Sequence, residues 1–102
     1  MLNNLLTIFK KDSNMRIPQI ISEITIKEIP EGWALLYDPK KSETLAMNEV
    51  GLLIYYSIDG KRNIGEIIDY VSNECEQSSN RIKKDILAFI NSLVMEKIAK
   101  WK

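Results

Sequence analysis

Between Met47 and Arg62 the chain changes its period, and that change limits the fold more than any other feature. Before it, apolar residues alternate with polar ones; after it, they recur at spacings of three and four. The stretch Met47-Asn48-Glu49-Val50-Gly51-Leu52-Leu53-Ile54-Tyr55-Tyr56-Ser57-Ile58-Asp59-Gly60-Lys61-Arg62 therefore reads as a junction between strands and helices. Asn48 can accept a bond from a free N–H of the first helical turn and so cap a helix. Asp59-Gly60 stops that helix, since glycine accepts the left-handed conformation that ends many helices.

The segment upstream predicts three strands. Over residues 20–29, Ile24 and Ile26 alternate with Glu23, Thr25 and Lys27, the pattern of a half-buried strand. Pro30-Glu31-Gly32 is a turn, and Trp33–Asp38 is a second strand. Asp38-Pro39-Lys40-Lys41 turns again into a third strand, Ser42–Met47. Short connections make consecutive strands neighbours, so an antiparallel meander is expected.

The segment downstream predicts three helices. The first, about 48–58, is apolar almost all round and so central. Gly51 within it implies close approach to another backbone, since glycine costs roughly 1 kcal/mol of helix propensity against alanine. Asn63 and Glu66 form a capping-box pattern for the second helix, whose apolar face is Ile64, Ile67, Ile68 and Val71. Ser79 or Asn80 caps the third, about 80–97, with Ile82, Ile86, Leu87, Phe89, Ile90, Leu93 and Val94 as a wide stripe. Lys97–Trp101 is a final extended piece. The whole is an α+β, winged-helix-like domain over residues 20–102: a three-stranded antiparallel sheet followed by three helices. Residues 1–19 form an N-terminal extension. In it Leu2–Phe9 reads as a tail or staple on the domain, or as a short helix that docks on a partner.

Composition narrows the function. Lys plus Arg and Asp plus Glu both number 14, so formal net charge is zero, which argues against a dedicated nucleic-acid binder. Histidine is absent and Cys75 is the single cysteine, so neither a zinc constellation nor a nucleophile–base pair can be assembled. The glycines Gly32, Gly51, Gly60 and Gly65 are scattered and form no phosphate loop. No cofactor is expected. No apolar run is long enough to span a membrane, Leu2–Phe9 does not read as a signal peptide, and the cysteine usage fits the cytoplasm. A binding module is expected rather than an enzyme.

Two binding modes fit the pattern. In the first, the third helix enters a DNA groove with Arg81, Lys83 and Lys84 near its start, aided by Lys61 and Arg62. In the second, an extended peptide adds to the edge of the third strand and lies against the stripe of Ile82, Ile86 and Ile90. Pattern alone does not separate the two.

The residues Leu35-Leu36-Tyr37-Asp38-Pro39, then Leu45-Ala46-Met47-Asn48-Glu49-Val50-Gly51, then Ile58–Ile68 and Asp85–Ile90, resemble the PqqD-like family in order and spacing. The resemblance covers roughly residues 16–98. Met47 departs from it, standing where the family usually has leucine, a volume-conserving change. The resemblance implies a RiPP recognition element, a non-catalytic domain that binds the leader of a ribosomally made precursor peptide. It implies a peptide site of Glu43, Thr44, Leu45, Ala46 and Met47 on the strand and Ile82, Lys83, Ile86, Leu87 and Ile90 on the helix. Which face of the strand lines the groove stays open, because a one-residue slip reverses it. It also implies a maturation enzyme as partner, either a radical S-adenosylmethionine enzyme, as in pyrroloquinoline quinone biosynthesis, or a leader peptidase, as in lasso-peptide biosynthesis. Any iron–sulfur chemistry would then belong to that partner.

Overall fold

A computed structural model describes residues 12–102. The expected helix over Leu2–Phe9 lies outside the described residues.

Two small sheets and three helices share one core. Strands β2 (Thr25–Ile29), β3 (Trp33–Asp38) and β4 (Glu43–Met47) form an antiparallel meander in the order β2-β3-β4. Helices α1 (Glu49–Ser57), α2 (Ile64–Cys75) and α3 (Ser79–Met95) follow. Two further strands, β1 (Pro18–Ile20) and β5 (Ala99–Trp101), pair antiparallel as a separate ribbon, with Ile20 opposite Ala99.

The strand expected over residues 20–29 is therefore two strands in two sheets. Its break falls at Ile21–Ile24, where the chain leaves one sheet for the other. There the Ile21 N–H donates to the Ile98 carbonyl at 2.8 Å and the Ser22 hydroxyl to the Lys97 carbonyl at 3.0 Å. Alternating side chains cannot reveal which partner a strand takes. The fold also takes in residues before 20: the Ile64 N–H at the start of α2 donates to the Arg16 carbonyl, and the Arg16 guanidinium lies 4.2 Å over the Trp101 ring.

The helix boundaries follow from their caps. The Asn48 side chain accepts from the Gly51 N–H at 2.9 Å, as expected, and α1 begins there. The capping box of α2 is complete: Asn63 accepts from the Glu66 N–H, and the Glu66 carboxylate accepts from the Asn63 N–H. Glu76, left-handed at φ 54°, closes α2. At α3 the cap position is Ser78 rather than Ser79 or Asn80, and its side chain makes no cap bond.

Every element from β3 onward contributes to the core. Ala34, Leu36 and Met47 from the sheet meet Ile54, Ile67, Ile68, Val71, Ile82, Ile86, Ile90 and Leu93 from the helices. Two glycines are dictated by space. A Cβ on Gly51 would stand 3.2 Å from the Phe89 ring and 3.3 Å from the Met47 Cβ. The close neighbours there are side chains of α3 and β4, not the backbone that the sequence suggests. Gly32 has a φ of +83°, and the Glu49 side chain fills the space that a Cβ would need, so both backbone and packing exclude a larger residue.

Candidate functional site

β4 is an edge strand. β3 pairs with it on one side only, so alternate N–H and C=O groups of Glu43–Met47 face outward among the described residues. Strand register settles which side chains face the helices. Leu36 lies opposite Leu45, Ala34 opposite Met47 and Asp38 opposite Glu43, and paired residues share a face. Since Ala34, Leu36 and Asp38 are buried, the helix-facing side of β4 is Glu43, Leu45 and Met47. Thr44 and Ala46 point to the far side. Met47 is buried and Leu45 is 37% exposed, so the apolar surface of the strand opens towards the free edge at Leu45.

α3 runs beside this edge in the opposite direction. Phe89 packs near Met47 at the end of the strand. Two helical turns later, Glu96 is reached by Lys41, which sits just before the strand begins. The Lys41 ammonium lies 3.3 Å from the Glu96 carboxylate and also donates to its carbonyl. Phe89 and Glu96 thus mark the flank of α3 that faces β4, and Ser92 falls between them on the same flank at about 100° per residue. Next to Met47, Asn48, Gly51, Ile82, Asp85 and Phe89 help line a cavity of about 350 Å³.

The strand residues Glu43, Thr44, Leu45 and Ala46 are all exposed, so the edge is accessible along most of its length. The helix residues divide differently. Ile82, Ile86 and Ile90 are 1%, 0% and 0% exposed, and belong to the core in this chain. Lys83 and Leu87 are half-buried and lie on the opposite flank from Phe89 and Glu96. The helix residues that the structure brings to the two ends of β4 are Phe89, at Gly51 with Met47, and Glu96, at Lys41. Phe89 is in the apolar stripe read from the sequence. What singles it out is phase: the buried Ile82, Ile86, Ile90 and Leu93 fix the helix centre, and Phe89 stands at its margin.

Electrostatics give no sign of catalysis among the described residues. Burial, followed by the Glu74 and Glu49 carboxylates, pushes the Cys75 thiol up, away from the reactive thiolate. Burial and the neighbouring Tyr56 push the Tyr55 hydroxyl up as well. Asp59 is held below the usual carboxylate range because the backbone N–H groups of Arg62 and Lys61 donate to it, a turn-forming role. No group of acidic, cysteine or histidine side chains among the described residues could hold a metal ion. Among them, no helix is long and apolar enough to cross a membrane. Arg81 and Lys84 are exposed at the start of α3, where the acidic Asp85 interrupts them, and they do not form an unbroken basic surface.

Comparison with solved structures finds the same fold in the chain described as "TbiB1 in Complex with the TbiA(beta) Leader Peptide". The TM-score is 0.67 at 16% identity, over 80% of this chain and 94% of that one. No curated protein sequence matches. The family model described as "Coenzyme PQQ synthesis protein D (PqqD)" matches residues 34–98, more than half of the chain and nearly all of it from β3 to the end of α3. This chain belongs to the PqqD family.

Proposed function

We propose that this chain is a non-catalytic recognition domain. It binds the leader of a ribosomally synthesised precursor peptide by strand addition to β4 and delivers it to a maturation enzyme. The observation that carries this reading is the open β4 edge beside α3. Backbone groups of Glu43–Met47 supply sequence-independent hydrogen bonds, while Leu45 and the Phe89 flank supply an apolar groove for alternate side chains of the peptide. β2 also has an open edge, but Phe89 and the Lys41–Glu96 pair put α3 beside β4. The structural neighbour is described in complex with a leader peptide, which supports a leader peptide as the ligand. The maturation enzyme is a radical S-adenosylmethionine enzyme or a leader peptidase, and the chemistry is that enzyme's.

A fluorescence-polarisation titration tests the proposal. The probe is a fluorescently labelled leader of a candidate precursor peptide, sought among the short open reading frames beside this chain's gene. Saturable binding by the wild type, lost in Leu45→Asp, is expected, because the substitution puts a charge into the apolar groove. Equal binding by both proteins contradicts it. So does salt-sensitive binding of duplex DNA that depends on Arg81 and Lys84, with no binding of the leader.

A further inference from the structure

The face of α1 towards the β2–β3 turn, beyond the end of β4, carries apolar surface that the Leu45–Phe89 groove does not use. Trp33 is 47% exposed and Tyr56 is 57% exposed. With Ile29, Leu52 and Leu53 they floor a cavity of about 300 Å³ between the β2–β3 turn and α1. Two adjoining clefts share its residues: one takes in Glu31 and Val50, the other Glu74 and Cys75. The three clefts are lined by four carboxylates, Glu28, Glu31, Glu49 and Glu74, and by no lysine or arginine among the described residues. In a chain of zero net charge, that is a segregated negative surface. The raised Cys75 thiol responds to two of the same carboxylates.

One segment of this chain has the complementary chemistry. Residues 2–11, Leu-Asn-Asn-Leu-Leu-Thr-Ile-Phe-Lys-Lys, hold five large apolar residues and two lysines and no acid. The described chain begins close by. The Asn14 carbonyl lies against Gly65, and the Arg16 carbonyl accepts from Ile64, so the chain enters at the start of α2, which the Asp59–Asn63 turn joins to the end of α1. Ten extended residues reach roughly 33 Å, and the nine residues of α1 are only about 13 Å long. Reach is therefore ample.

We propose that this acidic, aromatic-floored cleft on α1 is the docking site of the chain's own residues 2–11, bound in cis with apolar side chains against Trp33, Leu53 and Tyr56 and lysines among the glutamates. The contact leaves the β4 edge free, so it does not depend on leader binding.

The test uses the full chain with one spin label, on Thr7→Cys in a Cys75→Ser background, and amide signals read by NMR. The expected result is loss of the amide signals of Ile29, Trp33, Leu53 and Tyr56 near the label, while those of Lys41 and Ser42, at the far start of β4, persist. Adding Phe9→Asp restores the lost signals, and the unchanged positions of core amides such as Ile67 and Ile86 confirm that the fold is kept. Loss along β4 instead, or no loss, overturns the proposal. A mixture of isotope-labelled chains without spin label and spin-labelled chains without isotope gives no loss if docking is in cis. Loss in that mixture assigns the cleft to a second copy and also overturns it.

Discussion

Lys41 and Glu96, 55 residues apart in sequence, meet at 3.3 Å across the foot of β4. Their contact ties the β3–β4 turn to the end of α3. At the other end of the strand Phe89 and Met47 both close on Gly51, 3.2 and 3.3 Å from where a Cβ on it would stand. The two junctions hold the sheet edge and the helix together, and in the proposed binding mode their spacing is the width available to a peptide strand. Both partners of the ion pair are partly exposed, and the pair is a positional device rather than a large source of stability. A double-mutant cycle with Lys41→Ala and Glu96→Ala should give a coupling energy of about 0.2–1 kcal/mol, measured by urea unfolding and shrinking as salt is added. A coupling of several kcal/mol would show that the pair is more buried than its exposure indicates.

Leu45 should matter to binding more than to folding. It is partly exposed on the helix-facing side of β4, where the proposed groove lies. Burying such a side chain against a ligand is worth about 1.5–3 kcal/mol, so Leu45→Asp should lower leader affinity by at least one to two orders of magnitude. Circular dichroism melting should change little. A large fall in melting temperature would place Leu45 in the core instead.

Ile86 should behave in the reverse way. Its side chain is fully enclosed, and Ile86→Ala leaves a cavity that costs about 2–5 kcal/mol of stability in chemical denaturation. Leader affinity of the folded fraction should stay within a small factor. An affinity loss without a stability loss would mean that the helix centre, and not its Phe89 flank, lines the groove.

The capping box at Asn63 offers a cleaner local test. Asn63→Ala removes the acceptor for the Glu66 N–H and should cost about 1 kcal/mol. Because α2 carries the Ile64, Ile67, Ile68 and Val71 face, the loss should appear as global destabilisation in thermal unfolding, not as local fraying.

Asp59 predicts a direction with pH. Backbone N–H groups of Arg62 and Lys61 hold its folded pKa below the ordinary value of 3.8. A depressed carboxyl contributes stability that is present above the unfolded pKa and lost as pH falls through the folded one. The stability difference between wild type and Asp59→Asn should therefore narrow as pH is lowered through and below that ordinary value. A gap that widens on acidification would reverse the sign assigned here.

Local signals carried well where chemistry is local. Asn48, Asn63 and Glu66 name their own bonds, because a cap is made within four residues. The meander followed from short turns, and the core faces of α2 and α3 from spacing. What the sequence could not express was partner choice between distant segments. Pro18–Ile20 pairs with Ala99–Trp101 rather than with the main sheet, and nothing in alternation marks that. For the same reason the wide stripe of α3 was legible while its division was not. Ile82, Ile86 and Ile90 turn into the core and Phe89 towards the strand, and only the packed helix shows which margin meets β4. The register of β3 against β4 likewise supplies the helix-facing side of β4, which a one-residue slip would have reversed.

Amide hydrogen exchange on the β4 edge tests the central claim most directly. The chain is measured with and without a leader peptide that it binds in the polarisation titration. Strand addition predicts that the outward-facing N–H groups within Glu43–Met47, open to solvent in the free chain, become protected when the leader binds. Exchange along β2 should not change. Leader binding that leaves the β4 amides unprotected, or that protects the free edge of β2 instead, would contradict the account.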